Sequence, residues 1–281
     1  MSHDERQEHI SKKVVLYTIH GTERVQVRRD LEYTAGDGRP SAFDIYRPPD
    51  ARDGERTPAV VFVAGFPDPG FEAKVGCKFK ETGAYVSWAR LTAASGLTAL
   101  TYTNRDPAKD IRALLEHVRL SAADLGVDEN RVGLWAASGN GPLALSVLMR
   151  ESNVEVRCAA LFYAYTLDLE GARAVADAAA AWGFANPCAG KAVEDLPRDT
   201  PLLVVRAGRD ELPQLNHTTD RFLLGALRSN LPVTLFNYPE APHAFELSRD
   251  TETTRETVRR TLDFMRFHLL TAPAGGRAPR V

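Results

Sequence analysis

Cysteine is scarce in this sequence: the 281 residues hold three, Cys77, Cys158 and Cys188. The number is odd, and the three form neither a CxxC pair nor a Cys/His ligand spacing. That speaks against a disulfide framework and a zinc site, and no metal is expected. Long apolar runs are missing too. No stretch reaches about 18 uninterrupted apolar residues, so no membrane span is expected. The opening MSHDERQEHISKK is polar and has no apolar secretory core, which makes a cytoplasmic location the expectation. An excess of one charge is also lacking: 35 Lys and Arg face 37 Asp and Glu, a formal charge of −2. With no basic block interleaved with aromatics, nucleic acid is not an expected partner.

What is present is alternation. Short β-branched or aromatic runs are separated by longer segments of helical period, the pattern of an α/β protein with a mostly parallel sheet and helices on both faces. The runs at 25–34 and 41–49 flank the turn-rich AGDGRP and predict an N-terminal antiparallel hairpin. PAVVFVAGF (58–66) is apolar throughout, as a strand buried on both faces would be. A Pro/Gly-rich loop follows, then a helix over 80–95 that stops at Gly96. Further strands are predicted at LTALTYT, RVGLWAA, RCAALFYAY, PLLVVRAG and PVTLFNYP. Between two of them Ile111, Leu114, Leu115 and Val118 share one helix face, and after the last a closing helix at about 253–269 puts Val258, Leu262, Met265 and Leu269 on one stripe. The predicted division is a polar extension at 1–24, one α/β domain at 25–270 and a disordered tail at 271–281. An excursion at 166–199 is a candidate lid or pocket wall.

Three positions carry candidate chemistry. Ser138, in LWAASGNGPLAL, lies where a strand ends and a helix begins from Pro142. A serine hydroxyl is a poor nucleophile until a base takes its proton, and the base needs an acid to orient it. Serine is also a common helix N-cap, so the position alone decides nothing. Asp210, in VVRAGRDELP, follows a buried strand, with Glu211 as a reserve acid. His243, in NYPEAPHAFE, lies in a Pro-punctuated loop after the last strand. His217 is a rival base within a predicted helix. His9, His20, His117 and His268 have no partner pattern.

The order Ser138, Asp210, His243 is the Ser, acid, His order of the α/β-hydrolases. Over roughly 25–270 the chain resembles a serine α/β-hydrolase of the esterase or dienelactone-hydrolase-like group. The resemblance implies the α/β-hydrolase fold, hydrolysis of a small-molecule carboxylic ester through an acyl-enzyme, and no cofactor. It also implies an oxyanion hole. VAGFPDPG resembles the family's HGxP loop, with Ala64 in place of the histidine. By that correspondence the donors are the backbone N–H groups of Phe66 and Gly139, and Phe66–Pro67 is a candidate cis peptide. Two further positions depart from the GxSxG elbow: Ala136 and Asn140 stand where the motif has glycines.

Asn104, Arg105, Trp182 and Phe184 are candidate substrate-binding residues. Asn104 and Arg105 follow a strand's carboxyl end, and the two aromatics lie in the excursion. Lactone, thioester or amide hydrolysis and acyl transfer use the same machinery, and a catalytically inactive binding protein or a homodimer is compatible with the sequence.

Overall fold

The computed structural model describes residues 10–149 and 154–271. The polar start at 1–9 and the expected disordered tail from 272 lie outside the described residues. Eight strands form one sheet among them: β1 (Gln26–Thr34), β2 (Pro40–Arg47), β3 (Thr57–Phe62), β4 (Thr98–Tyr102), β5 (Val127–Ala137), β6 (Val156–Phe162), β7 (Leu202–Ala207) and β8 (Val233–Tyr238). Their order is β1-β2-β4-β3-β5-β6-β7-β8. The β1–β2 and β2–β4 pairs are antiparallel and every later pair is parallel. The predicted hairpin and mostly parallel sheet are therefore both present.

The helices are α1 (Asp68–Val75), α2 (Gly83–Ala94), α3 (Pro107–Leu120), α4 (Ala122–Leu125), α5 (Gly141–Leu148), α6 (Ala174–Trp182), α7 (Leu215–Arg228) and α8 (Glu252–Leu270). They flank the sheet on both faces, which is why β3 and β4 are buried at every residue while the outer strands β1 and β8 are largely exposed. Both predicted apolar stripes are buried: Ile111 to Val118 on α3, and Val258 to Leu269 on α8. Gly96 ends α2's turn at φ 96°, a left-handed conformation that glycine adopts without strain. Two local expectations fail. The Pro/Gly-rich segment after β3 contains a helix, α1, because Pro69 is tolerated in its first turn. The segment RCAALFYAY leaves the sheet at Phe162, since Tyr163 turns to φ 34°.

Ahead of β1 the chain is docked on the domain. Val15 is buried, its N–H donates to Ser87 Oγ on α2 at 3.0 Å, and the N–H of Leu16 donates to the Glu246 carbonyl at 2.8 Å. Among the described residues no helix is long and apolar enough to cross a membrane. In a parallel sheet the carboxyl ends of β3, β5, β6, β7 and β8 lie along one edge, and the loops leaving them share one crevice.

Candidate active site

Ser138 occupies the turn between β5 and α5. Its φ is 57°, a left-handed conformation uncommon for a residue with a side chain. The Tyr165 N–H donates to the Ser138 carbonyl at 3.1 Å, and a single 3₁₀ turn, Ser138–Asn140, carries the chain into α5. Ala137 and Gly139 are buried on either side while Ser138 is half-buried. A strained strand-to-helix turn thus lifts one hydroxyl out of a buried backbone.

The departures from the motif have specific consequences. Asn140 is buried and its amide is fully used. Its Oδ1 accepts from the Gly65 N–H at 2.7 Å, and its Nδ2 donates to the Ala137 carbonyl at 2.8 Å and the Tyr85 hydroxyl at 3.1 Å. The side chain therefore rivets the elbow to the 63–68 loop. Tyr85 completes the brace by donating to the Val63 carbonyl at 2.5 Å. Tyr102 accepts from the Ala64 N–H at 3.3 Å, and Asn104 Nδ2 donates to the Ala64 and Phe66 carbonyls, both at 3.2 Å. Complete burial raises the Tyr85 and Tyr102 hydroxyls well above the ordinary tyrosine range, so both keep their protons. These residues brace a loop in which Ala64 stands where the resembled family has histidine.

Asp68 closes the loop, its carboxylate accepting from the Phe79 and Asn104 N–H groups at 2.7 Å each. The Phe66–Pro67 peptide is trans, a correction to the cis expectation: Pro67, at φ −60° and ψ 125°, leads directly into α1. Among the described residues nothing accepts from the Phe66 N–H. The Gly139 N–H belongs to the first turn after the strand, where backbone donors lack partners inside the helix. Replacing Asn140 by alanine strands the Gly65 donor and the Ala137 acceptor. The expected cost is about 2–4 kcal/mol, read from urea denaturation.

Asp210 and His243 come together. The Asp210 carboxylate, with no exposed side-chain surface, accepts from His243 Nδ1 at 2.6 Å through Oδ2 and from the Leu212 N–H at 3.0 Å through Oδ1. Two backbone bonds tie the loops carrying them: Gly208 N–H to the Tyr238 carbonyl and Arg209 N–H to the Ala241 carbonyl, each 2.8 Å. With Nδ1 bound to the acid, the free ring nitrogen is Nε2. Glu211, the reserve acid, and His217, the rival base on α7, are both exposed and outside this pair.

The four candidate binding residues separate. Phe184 is buried at the elbow. It stacks on Tyr165 at 5.6 Å, meets Phe66 edge-on at 5.8 Å, and lies within 2.6 Å of where a Gly139 Cβ would stand. Trp182 is exposed at the end of α6. Asn104 is buried in the loop brace, and Arg105 is engaged by Asp37 of the β1–β2 turn at 2.8 and 3.0 Å. With Asp68 they line a cleft of about 390 Å³ beside that hairpin, which none of Ser138, Asp210 and His243 lines. Within the 166–199 excursion, Asp168 caps α6 by accepting from the Val175 and Ala176 N–H groups at 2.8 and 2.9 Å. Val175, Ala178 and Phe184 then pack with Tyr165 and with Leu215 of α7.

Sequence reading missed Tyr163 and Glu246. The Tyr163 ring meets the His243 imidazole edge-on at 4.7 Å, and its hydroxyl donates to Glu246 Oε1 at 2.5 Å. Burial pushes the Glu246 carboxyl above the ordinary glutamate range, against the downward pull of its hydrogen bonds to Tyr163 and Trp88. A carboxyl whose folded pKa exceeds its unfolded one stabilises the fold fully below the unfolded value, about 4.3, and that contribution is lost as pH rises through the folded value. Glu246→Gln removes this titration. Urea midpoints at pH 5 and pH 8 should therefore show the variant gaining on the wild type at the higher pH. Among the described residues no group of three or more His, Cys, Asp or Glu side chains is placed to hold a metal ion.

No model of a protein family matches the chain, and no curated protein matches it. Solved structures do. Esterase Est22 superposes with a TM-score of 0.67 at 16% sequence identity, over 87% of this chain and 81% of that one. An esterase from Pyrobaculum calidifontis gives 0.66 at 22%, over 89% and 86%. LAE6, an α/β-hydrolase enzyme from the metagenome of Lake Arreo, Spain, gives 0.66 at 21%, over 88% and 83%. At these identities the likeness is one of fold.

Proposed function

We propose that this chain, which has the α/β-hydrolase fold, is a serine esterase that cleaves a small-molecule carboxylic ester through an acyl-enzyme on Ser138. The observation that carries the reading is the 2.6 Å bond from His243 to the buried Asp210 carboxylate, on the same sheet edge as a serine held at φ 57°. His243 Nε2 takes the Ser138 proton as Oγ attacks the ester carbonyl carbon, and the carbonyl oxygen becomes an oxyanion. Asp210 holds the imidazole in the tautomer with the proton on Nδ1 and stabilises the imidazolium. The Phe66 and Gly139 N–H groups donate to the oxyanion. The carbon–oxygen bond to the alcohol then breaks, and His243 gives its proton to the departing oxygen. Water, deprotonated by His243, releases the acid and restores Ser138. Lactones, thioesters and amides follow the same steps, so the pocket decides among them.

The test is to incubate the protein with a fluorophosphonate, map the adduct by peptide mass, and measure hydrolysis of p-nitrophenyl acetate and butyrate. An adduct on Ser138 together with turnover of either ester supports the reading. A protein that neither labels nor hydrolyses is a binding module. Phe184 and Phe66 cover the space over Gly139, which favours short acyl chains. Phe184→Ala should raise kcat/KM for p-nitrophenyl octanoate relative to acetate by about tenfold, the scale set by a few methylenes in an apolar pocket.

A further inference from the structure

The loop that carries His243 is anchored by a carboxyl that the proposed chemistry does not use. Glu246, three positions on, is 1% exposed. Its Oε1 accepts both from the Tyr163 hydroxyl at 2.5 Å and from Trp88 Nε1 on α2 at 3.3 Å. Its Oε2 is buried with no partner among the described residues. Tyr163 is itself constrained: it stands at φ 34° just past β6, its N–H donates to the Val205 carbonyl at 2.7 Å, and its ring lies edge-on to the imidazole at 4.7 Å. Leucine and phenylalanine would fill the same space without burying a half-paired carboxyl, a costly arrangement that calls for a reason.

The geometry of the base supplies one. A single hydrogen bond to Nδ1 sets one axis of the imidazole and leaves the ring free to tilt about it. A fixed side chain against the ring removes that freedom, and a reacting group is held only as well as the residues packed against it are. We propose that Glu246 is a positioning residue for His243: it holds the Tyr163 hydroxyl, and the held ring keeps the imidazole turned so that Nε2 meets Ser138. This rests on His243 being the base of an ester hydrolase.

The experiment compares wild type, Glu246→Leu, Glu246→Gln and Tyr163→Phe on p-nitrophenyl acetate, with kcat expressed per site titrated by the fluorophosphonate so that misfolded protein is not counted. Glu246→Leu and Tyr163→Phe should each lower kcat by about 10- to 100-fold with KM within about twofold, the scale of a displaced reacting group. Glu246→Gln keeps an oxygen that accepts from the tyrosine and should recover most of the loss. The double variant Tyr163→Phe/Glu246→Leu should be no slower than the slower single one, because both break the same link. A Tyr163→Phe enzyme with wild-type kcat overturns the proposal, even where Glu246→Leu fails to fold. So does a loss confined to KM, or a Glu246→Gln enzyme as slow as Glu246→Leu. If the wild type itself does not titrate, the esterase reading falls and the positioning role with it. If it titrates and all the variants match it, only the positioning role falls.

Discussion

Replacing Ser138 by alanine is expected to lower kcat on p-nitrophenyl esters by about 10⁴- to 10⁶-fold and to abolish fluorophosphonate labelling, with KM nearly unchanged. The size follows from what the substitution removes. Serine and alanine share a Cβ, so the left-handed turn at φ 57° meets the same steric demand in either. Among the described residues no hydrogen bond depends on Oγ, and the Asp210–His243 bond is formed without it. Under the proposed mechanism, fold, acid, base and oxyanion donors should therefore persist, and only the attacking atom is lost. Unfolding free energies within about 0.5 kcal/mol of wild type would confirm that the loss is chemical, because surface-like changes stay near that limit. His217→Ala is the control for the base: exposed on α7, it should turn over like wild type. A Ser138→Ala protein within tenfold of wild-type kcat would show that hydrolysis occurs elsewhere on the molecule.

The parts of this arrangement that were legible in the sequence are those written locally. Apolar runs and stripes report burial directly, so the hairpin, the strand order of types and the α3 and α8 faces could be read from spacing. Ser138, Asp210 and His243 could be placed because each follows a recognisable strand, and parallel strands deliver their carboxyl ends to one edge. The bracing was not legible. Asn140 meets Gly65 across 75 positions and Tyr85 across 55, and nothing near Asn140 in the chain announces either partner. Tyr163 looked like one more residue of an apolar strand, and only its positive φ turns its ring toward His243. Arg105 had the right address, past a strand's carboxyl end, but Asp37 on the hairpin turn claims its guanidinium. A charged side chain with a nearer partner does not reach into a crevice, and spacing alone carries no record of that competition.

The other large effect is expected at Gly141, which the motif does not single out. A Cβ built there stands 2.1 Å from the Tyr165 carbonyl oxygen and 2.8 Å from the Ala164 Cβ. The first is backbone, which cannot swing aside as a flexible side chain can. Gly141→Ala must therefore push α5 away from the chain that follows β6, stretching the Tyr165 to Ser138 bond that holds the elbow. The expected loss is about 3 kcal/mol or more, at the upper end of overpacking costs, and a Tm lower by about 6–12 °C. Turnover should fall with it even in the folded fraction, since the displaced segment carries Ser138. Gly70→Ala in α1 is the matched control: nothing lies within 4 Å of its Cβ, and alanine suits a helix better than glycine, so Tm should hold or rise. The contrast explains how an elbow can carry asparagine where its motif has glycine. Glycine serves there only to permit a close approach, and in this chain that approach falls one residue later. Asn140 is thereby free to carry an amide, and that amide holds the loop after β3 in place through the Gly65 N–H.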